Sequence, residues 1–130
     1  SGDKAQKMMA LLQDAVRIAD DNRYTYSQEN RYGEFQYDCS SLVARLYKKH
    51  FDFTAPSTTS GYGSSYRVGR DGSVQLQPGD VLWRSGHVEM YIGNNQQVGA
   101  HGRVNRAAAD QISVVDYKPG KYTYVYRFIQ

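Results

Sequence analysis

An α+β fold is predicted by three features: two amphipathic helical stretches come first, short strands with tight turns follow, and no repeat or low-complexity linker divides them. At 130 residues with 40% apolar content, the chain suits one domain with one core of ordinary size. That domain is expected to span residues 1–130 and to be catalytic, taken from a larger protein.

The elements follow in order. From Lys4 to about Asp20, the residues Met8, Leu11, Leu12, Ala15, Ile18 and Ala19 recur at three- and four-residue intervals between charges, which is the pattern of a helix lying on a core. Asp20-Asp21-Asn22 ends it. The stretch from Arg23 to Asp38, rich in Tyr, Asn, Gln and Gly, lacks a sustained period and reads as a loop. From Cys39 to about Lys49 the helical spacing returns in Leu42, Val43, Leu46 and Tyr47, with Asp38 at the N-cap and Lys48, Lys49 and His50 in the last turn. His50 is thus expected to be a helix C-terminal cation.

Residues 54–72 are crowded with Ser, Thr, Gly and Pro and predict a long loop with one short helical turn, placed to flank a cleft. Gln77-Pro78-Gly79-Asp80 then turns into Val81-Leu82-Trp83, Gly86 opens a strand from His87 to Ile92, and Gly93-Asn94-Asn95 turns into Gln96 to His101. Further strands are expected around Ile112 to Val115 and Tyr122 to Ile129. Tyrosine is unusually common, 12 against one Trp and four Phe. Flat, amphipathic rings suit the walls of a cleft for a sugar or peptide, but Tyr122, Tyr124 and Tyr126 read first as strand-face filling.

Charge narrows the partners. A formal +3 and a pI near 9.0 favour approach to polyanions, wall polymers included. The basic residues are scattered rather than gathered in one run, and no nucleic-acid motif is present, so no nucleic-acid partner is expected. No window approaches the roughly 18 apolar residues of a membrane span, and Ser1-Gly2-Asp3-Lys4 does not begin a secretory signal. No membrane partner is expected, and a monomer is.

The single cysteine carries the chemistry. It can form no disulfide within the chain, and it falls at a helix N-terminus, where unpaired N–H groups and the macrodipole favour a thiolate and could also hold an oxyanion. Taken alone, a lone cysteine is more often a small buried apolar residue. Its neighbours change that reading. Tyr37-Asp38-Cys39-Ser40-Ser41-Leu42-Val43, Gln77-Pro78-Gly79-Asp80-Val81-Leu82, Gly86-His87-Val88-Glu89-Met90-Tyr91-Ile92-Gly93 and Gly99-Ala100-His101 together resemble the four blocks of the NlpC-type cell-wall cysteine peptidases. Tyr24-Thr25-Tyr26-Ser27, the double serine after the cysteine, Gly99-Ala100-His101-Gly102 and Asp110-Gln111 are more similar to the branch found in bacteriophage peptidoglycan hydrolases, the endolysins.

That resemblance, from about Tyr24 to Arg127, implies a papain-like fold with N-terminal helices on a central antiparallel sheet. It implies that Cys39 attacks a carbonyl, that His87 moves the proton, and that His101 holds the His87 ring. Two strands joined by the Gly93-Asn94-Asn95 turn would bring both histidines to one end of a hairpin. The resemblance further implies an oxyanion or substrate-binding tyrosine before the cysteine, Tyr26 or else Tyr24. Pocket positions fall at Asp38, Ser40, Ser85 and Gly86, Asp38 being equally readable as a helix cap alone. Ser41 stands where the wider family commonly has glycine, and its β-carbon is expected to narrow the cleft. Glu89 shares a strand face with His87 and Tyr91, which fits either a substrate contact or an exposed position.

The implied activity is hydrolysis of peptidoglycan stem peptides at the wall, outside the cell, by a secreted or phage-delivered enzyme with no cofactor. The D-glutamyl–diamino acid bond is the expected target, with N-acetylmuramoyl-L-alanine amidase activity as the alternative. No metal is expected, since zinc sites draw on closely spaced ligand pairs and none was found among Cys39, His87 and His101. Two rivals remain: a non-catalytic wall-binding module, which leaves the cysteine and histidines unexplained, and an acyltransferase on the same fold.

Overall fold

Two helices pack on one face of a sheet, and the cysteine lies at the start of the second helix. The computed structural model describes residues 2–130. Helix α1 covers Gly2–Asp20 and α2 covers Cys39–Phe51. Eight strands follow the chain as β1 (Thr25–Tyr26), β2 (Gln36–Tyr37), β3 (Arg67–Arg70), β4 (Val81–Arg84), β5 (His87–Gly93), β6 (Gln96–Ala100), β7 (Ile112–Asp116) and β8 (Tyr124–Tyr126). A short helix, α3, spans Ala108–Gln111 just before β7. The six longer strands form one sheet in the order β3-β8-β4-β5-β6-β7, antiparallel at every pairing. The predicted α+β class is therefore what the chain adopts.

Both predicted helices bury the face that their periodicity marks. Leu11, Ala15 and Ile18 of α1 meet Leu42, Val43 and Leu46 of α2, and this layer closes over Val81, Val88, Met90, Val98 and Ala100 of the sheet. Leu11, Leu42 and Leu46 are each at most 2% exposed, and full burial of such a side chain contributes about 2 kcal/mol. Alternation along β5 sends Val88 and Met90 into this core and turns Glu89 to the other face.

The turns account for the hairpins. Ser85-Gly86 forms the two-residue link between β4 and β5, since Arg84 pairs with His87, and Gly86 takes φ +85°. Asn94 and Asn95 both adopt φ 55° between β5 and β6, a conformation asparagine tolerates better than most residues.

Three expectations need correcting. The 54–72 loop contains its short helical turn, at Thr59–Gly61, but it also contributes β3, which pairs with β8 through a bulge at Gly69. The loop before the cysteine holds the short parallel pair β1 and β2. The last strand is shorter than Tyr122 to Ile129, because Asp71 Oδ2 takes the N–H groups of Gly120 and Tyr122 at 3.0 Å and Phe128 turns into the aromatic core with Tyr47 and Phe53.

Candidate active site

Asp38 starts α2 with a capping box: Ser41 N–H donates to Asp38 Oδ1 at 2.9 Å, and Asp38 N–H donates to Ser41 Oγ at 2.9 Å. Leu42 N–H goes to the Asp38 carbonyl, so the N–H groups of Cys39 and Ser40 stay at the free end of the helix. Cys39 is the first helical residue and only 8% exposed. Free N–H groups at a helix start of this kind can hold an oxyanion.

His87, the first residue of β5, lies beside Cys39, close enough for the two side chains to interact electrostatically. Its other contact is Glu89: His87 Nε2 lies 2.7 Å from Glu89 Oε2. His101, just beyond β6, brings Nδ1 to 2.8 Å from the same oxygen, and its Nε2 lies 3.3 Å from the Ser113 carbonyl. The two histidines do stand at one end of the β5–β6 hairpin, with ring centroids 6.4 Å apart. The expected grip of His101 on the His87 ring is not a direct one, because a carboxylate stands between them.

Glu89 is 3% exposed, which removes the exposed-strand reading. Gln97 Nε2 donates to its Oε1 at 2.8 Å. Burial opposes charge on Glu89, but the hydrogen bonds from His101, His87 and Gln97 prevail and hold the carboxyl well below the usual carboxylate range. For His87 burial likewise opposes the charged ring, and contact with Cys39 and Glu89 outweighs it, pushing the imidazolium up to about 9. An ionised carboxylate only accepts, so both His87 Nε2 and His101 Nδ1 carry protons. The Nδ1 of His87 is left for the thiol.

The remaining predicted residues fall around this centre. Tyr26 lies near Cys39 and Asp38, both of which, after burial, push its hydroxyl up, whereas Tyr24 turns to Arg17 and meets Phe35 edge-on. The Asp38 carboxylate serves the cap and accepts from Arg31 Nη1 at 3.3 Å. Ser40 is buried and donates through Oγ to the Ser57 carbonyl at 3.0 Å. Ser41 is fully buried with Oγ in the capping box, so it lines no open cleft. Ser85 and Gly86 are exposed in the turn before His87.

Two tyrosines here were not anticipated. Tyr122, read as strand filling, stacks on His87 at 6.3 Å between centroids with 27° between planes, and its hydroxyl lies 3.4 Å from Gln97 Nε2. Tyr62 is buried, lies within electrostatic reach of Cys39, and has a hydroxyl with no hydrogen-bond partner among the described residues. A polar cleft of about 730 Å³ opens beside Glu89 and His101, walled by Arg84, Lys121 and Tyr122 among others.

His87, Glu89 and His101 are near enough together to grip a metal ion, their ligating atoms lying within 4.8 Å of one another. A closely spaced pair does exist in His87 and Glu89, two residues apart on one strand face. In this structure, however, both histidine nitrogens are engaged with a single Glu89 oxygen.

A thiol at a capped helix start beside a histidine at a strand start is the arrangement expected of a papain-like cysteine site. The match to the NlpC/P60 family covers residues 21–125, and the chain belongs to that family. Its fold is shared by the NlpC/P60 domain of the peptidoglycan hydrolase SagA, with a TM-score of 0.64, 16% identity, and coverage of 95% of this chain and 97% of that one. It is shared by the P60 domain of an antigen from M. avium subspecies paratuberculosis, with a TM-score of 0.67, 19% identity, and coverage of 96% and 97%. The peptidoglycan hydrolase RipB from Mycobacterium tuberculosis aligns at a TM-score of 0.61 with 19% identity, covering 96% of this chain and 68% of its own. No curated protein sequence matches the chain.

Proposed function

We propose that the chain is a peptidoglycan hydrolase, a cysteine endopeptidase that cuts the stem peptide of bacterial cell wall with Cys39 as nucleophile. The observation that carries this reading is the placement of His87 beside a thiol set at the capped start of α2. Membership of the NlpC/P60 family, and a fold held in common with proteins described as peptidoglycan hydrolases, support the substrate class.

In the mechanism, the Cys39 thiolate adds to the scissile carbonyl, and the free N–H groups at the start of α2 receive the oxyanion. Imidazolium His87 gives its proton to the departing amine as the C–N bond breaks, leaving an acyl-enzyme. Water then adds to the thioester while His87 takes its proton, and the acid leaves with the thiolate restored. Every step draws on residues of the chain and none needs a cofactor. Tyr26, Asp38, Ser40, Ser85 and Gly86 are the proposed surroundings of the substrate, with the Asp38 contribution made through the helix cap.

Within this reading the D-glutamyl–diamino acid bond is the first choice of target. The endolysin-like wording of Tyr24-Thr25-Tyr26-Ser27 and Gly99-Ala100-His101-Gly102 keeps N-acetylmuramoyl-L-alanine amidase activity as the second. The chain would act at the wall, outside the producing cell, as a monomer and as an antibacterial agent. Mass spectrometry of purified peptidoglycan treated with the wild type and with Cys39→Ala tests the reading. New fragments from the wild type alone uphold it and their masses name the bond. Unchanged fragments across several wall chemotypes, with wild type and variant alike, overturn it in favour of wall binding or acyl transfer.

A further inference from the structure

The β5–β6 pairing explains how one carboxylate reaches two histidines. Met90 pairs with Val98 and Tyr91 with Gln97, and continuing that register sets Gly99 across from Glu89 and His101 across from His87. The Glu89 side chain lies flat over Gly99: a β-carbon there would stand 2.4 Å from Glu89 Cδ and 2.7 Å from Oε2. Gly99 has no positive φ, so its missing side chain serves space rather than backbone freedom. Across the neighbouring pair, Gln97 fixes the second oxygen, Oε1.

We propose that Glu89 is the positioning residue that orients His87 toward Cys39, with His101 acting on His87 only through Glu89 and with Gly99 supplying the gap in which the carboxylate lies. This rests on the reading of Cys39 and His87 as the reacting pair. The chemistry follows from hydrogen-bond roles. A buried carboxylate held by three donors accepts from His87 Nε2–H, which fixes the neutral tautomer with Nδ1 free to take a proton, and it stabilises the imidazolium once that proton has moved. A histidine in direct contact would give a weaker and less polar orienting group. Here His101 instead holds Oε2 in place from the other side, as the Ser113 carbonyl holds His101.

The 130-residue chain is assayed in two ways: steady-state peptidoglycan cleavage, and the rate at which iodoacetamide alkylates Cys39 as a function of pH. The second assay needs no substrate, so it separates this proposal from the choice of substrate. For Glu89→Gln, kcat is expected to fall on the order of 100-fold or more with KM little changed, as when an orienting carboxylate becomes an amide. The alkaline limb of the alkylation profile is expected to move down by about one pH unit or more, since the carboxylate is one of the groups that keep His87 charged. Glu89→Asp should recover part of both effects. His101→Gln should keep at least about tenfold more kcat than Glu89→Gln, because its amide can still donate to the carboxylate.

Gly99→Ala covers the case in which Glu89→Gln does not fold: displacing an intact carboxylate should shift the alkylation limb in the same direction. A Glu89→Gln or Gly99→Ala protein with a wild-type alkylation profile and wild-type kcat overturns the proposal. So does a larger loss in His101→Gln than in Glu89→Gln. If instead the wild type alkylates as a thiolate paired with an imidazolium and cuts no wall fragment, it is the assigned substrate that fails, and the Glu89 arrangement stands.

Discussion

Asp14 of α1 holds His50 of α2 at 2.8 Å through Oδ2, and the same carboxylate takes Lys49 Nζ at 2.9 Å and Arg17 Nη2 at 2.6 Å. His50 is therefore not merely a cation for its own helix end. It ties the two helices together near the C-terminal end of α2.

Asp14→Asn is expected to lower stability by about 2 kcal/mol, the scale of a hydrogen bond between charged partners, without changing the cleavage products. Burial opposes ionisation of Asp14, but Lys49, His50 and Arg17 prevail and hold it at about 2, below the ordinary carboxyl value of 3.8. A carboxyl depressed in the folded state stabilises above its unfolded pKa, and that contribution disappears as pH falls from about 4 through about 2. Urea melts of both proteins at pH 7 and pH 2 check this: the gap between them should be wide at the first and nearly closed at the second.

The His87 ring carries the opposite sign. Its folded pKa is raised to about 9 against an ordinary imidazole value of 6.5, so its contribution to stability is complete below about 6.5 and is lost as pH rises through about 9. Cleavage should decline over the same alkaline range, because the leaving amine loses its proton donor. An unchanged rate at pH 10, with the fold intact by circular dichroism, would remove His87 from that role.

Tyr62→Phe tests the unpartnered hydroxyl. A buried hydroxyl without a hydrogen bond lowers stability, so its removal should raise the midpoint of thermal unfolding, by the equivalent of about 1 kcal/mol. A clear loss of stability would show that the hydroxyl has a partner in solution.

Chelation should leave the rate unaltered. With His87 Nε2 and His101 Nδ1 both donating to Glu89, the proposed mechanism uses no ion, and EDTA-treated protein is expected to cut at the untreated rate. A rate that falls with chelator and returns with zinc counts against the hydrogen-bonded arrangement.

Much of the fold was legible because its signals are local. The spacing of Leu11, Ala15 and Ile18, and of Leu42, Val43 and Leu46, marks the buried faces of α1 and α2 directly. Turn residues at Ser85-Gly86 and Asn94-Asn95 fix the hairpins. β3 was not legible, since its side chains are mostly exposed and the strand it pairs with, β8, comes more than fifty residues later. The thiol and both histidines could be placed from motif order. Glu89 could not, because alternation tells which face a side chain takes but not whether that face is covered, and the gap at Gly99 exists only once β5 and β6 are in register.

The lone thiol also sets how this protein fails under oxidation. With one cysteine in the chain, a sulfenic acid on Cys39 has no second thiol of its own to form a disulfide and so escape further oxidation. Without rescue by an outside thiol, the next oxidation gives a sulfinic acid, which is irreversible for a chain of this kind. In an oxidising medium peroxide would then limit the number of turnovers each molecule completes, and a small added thiol would extend it.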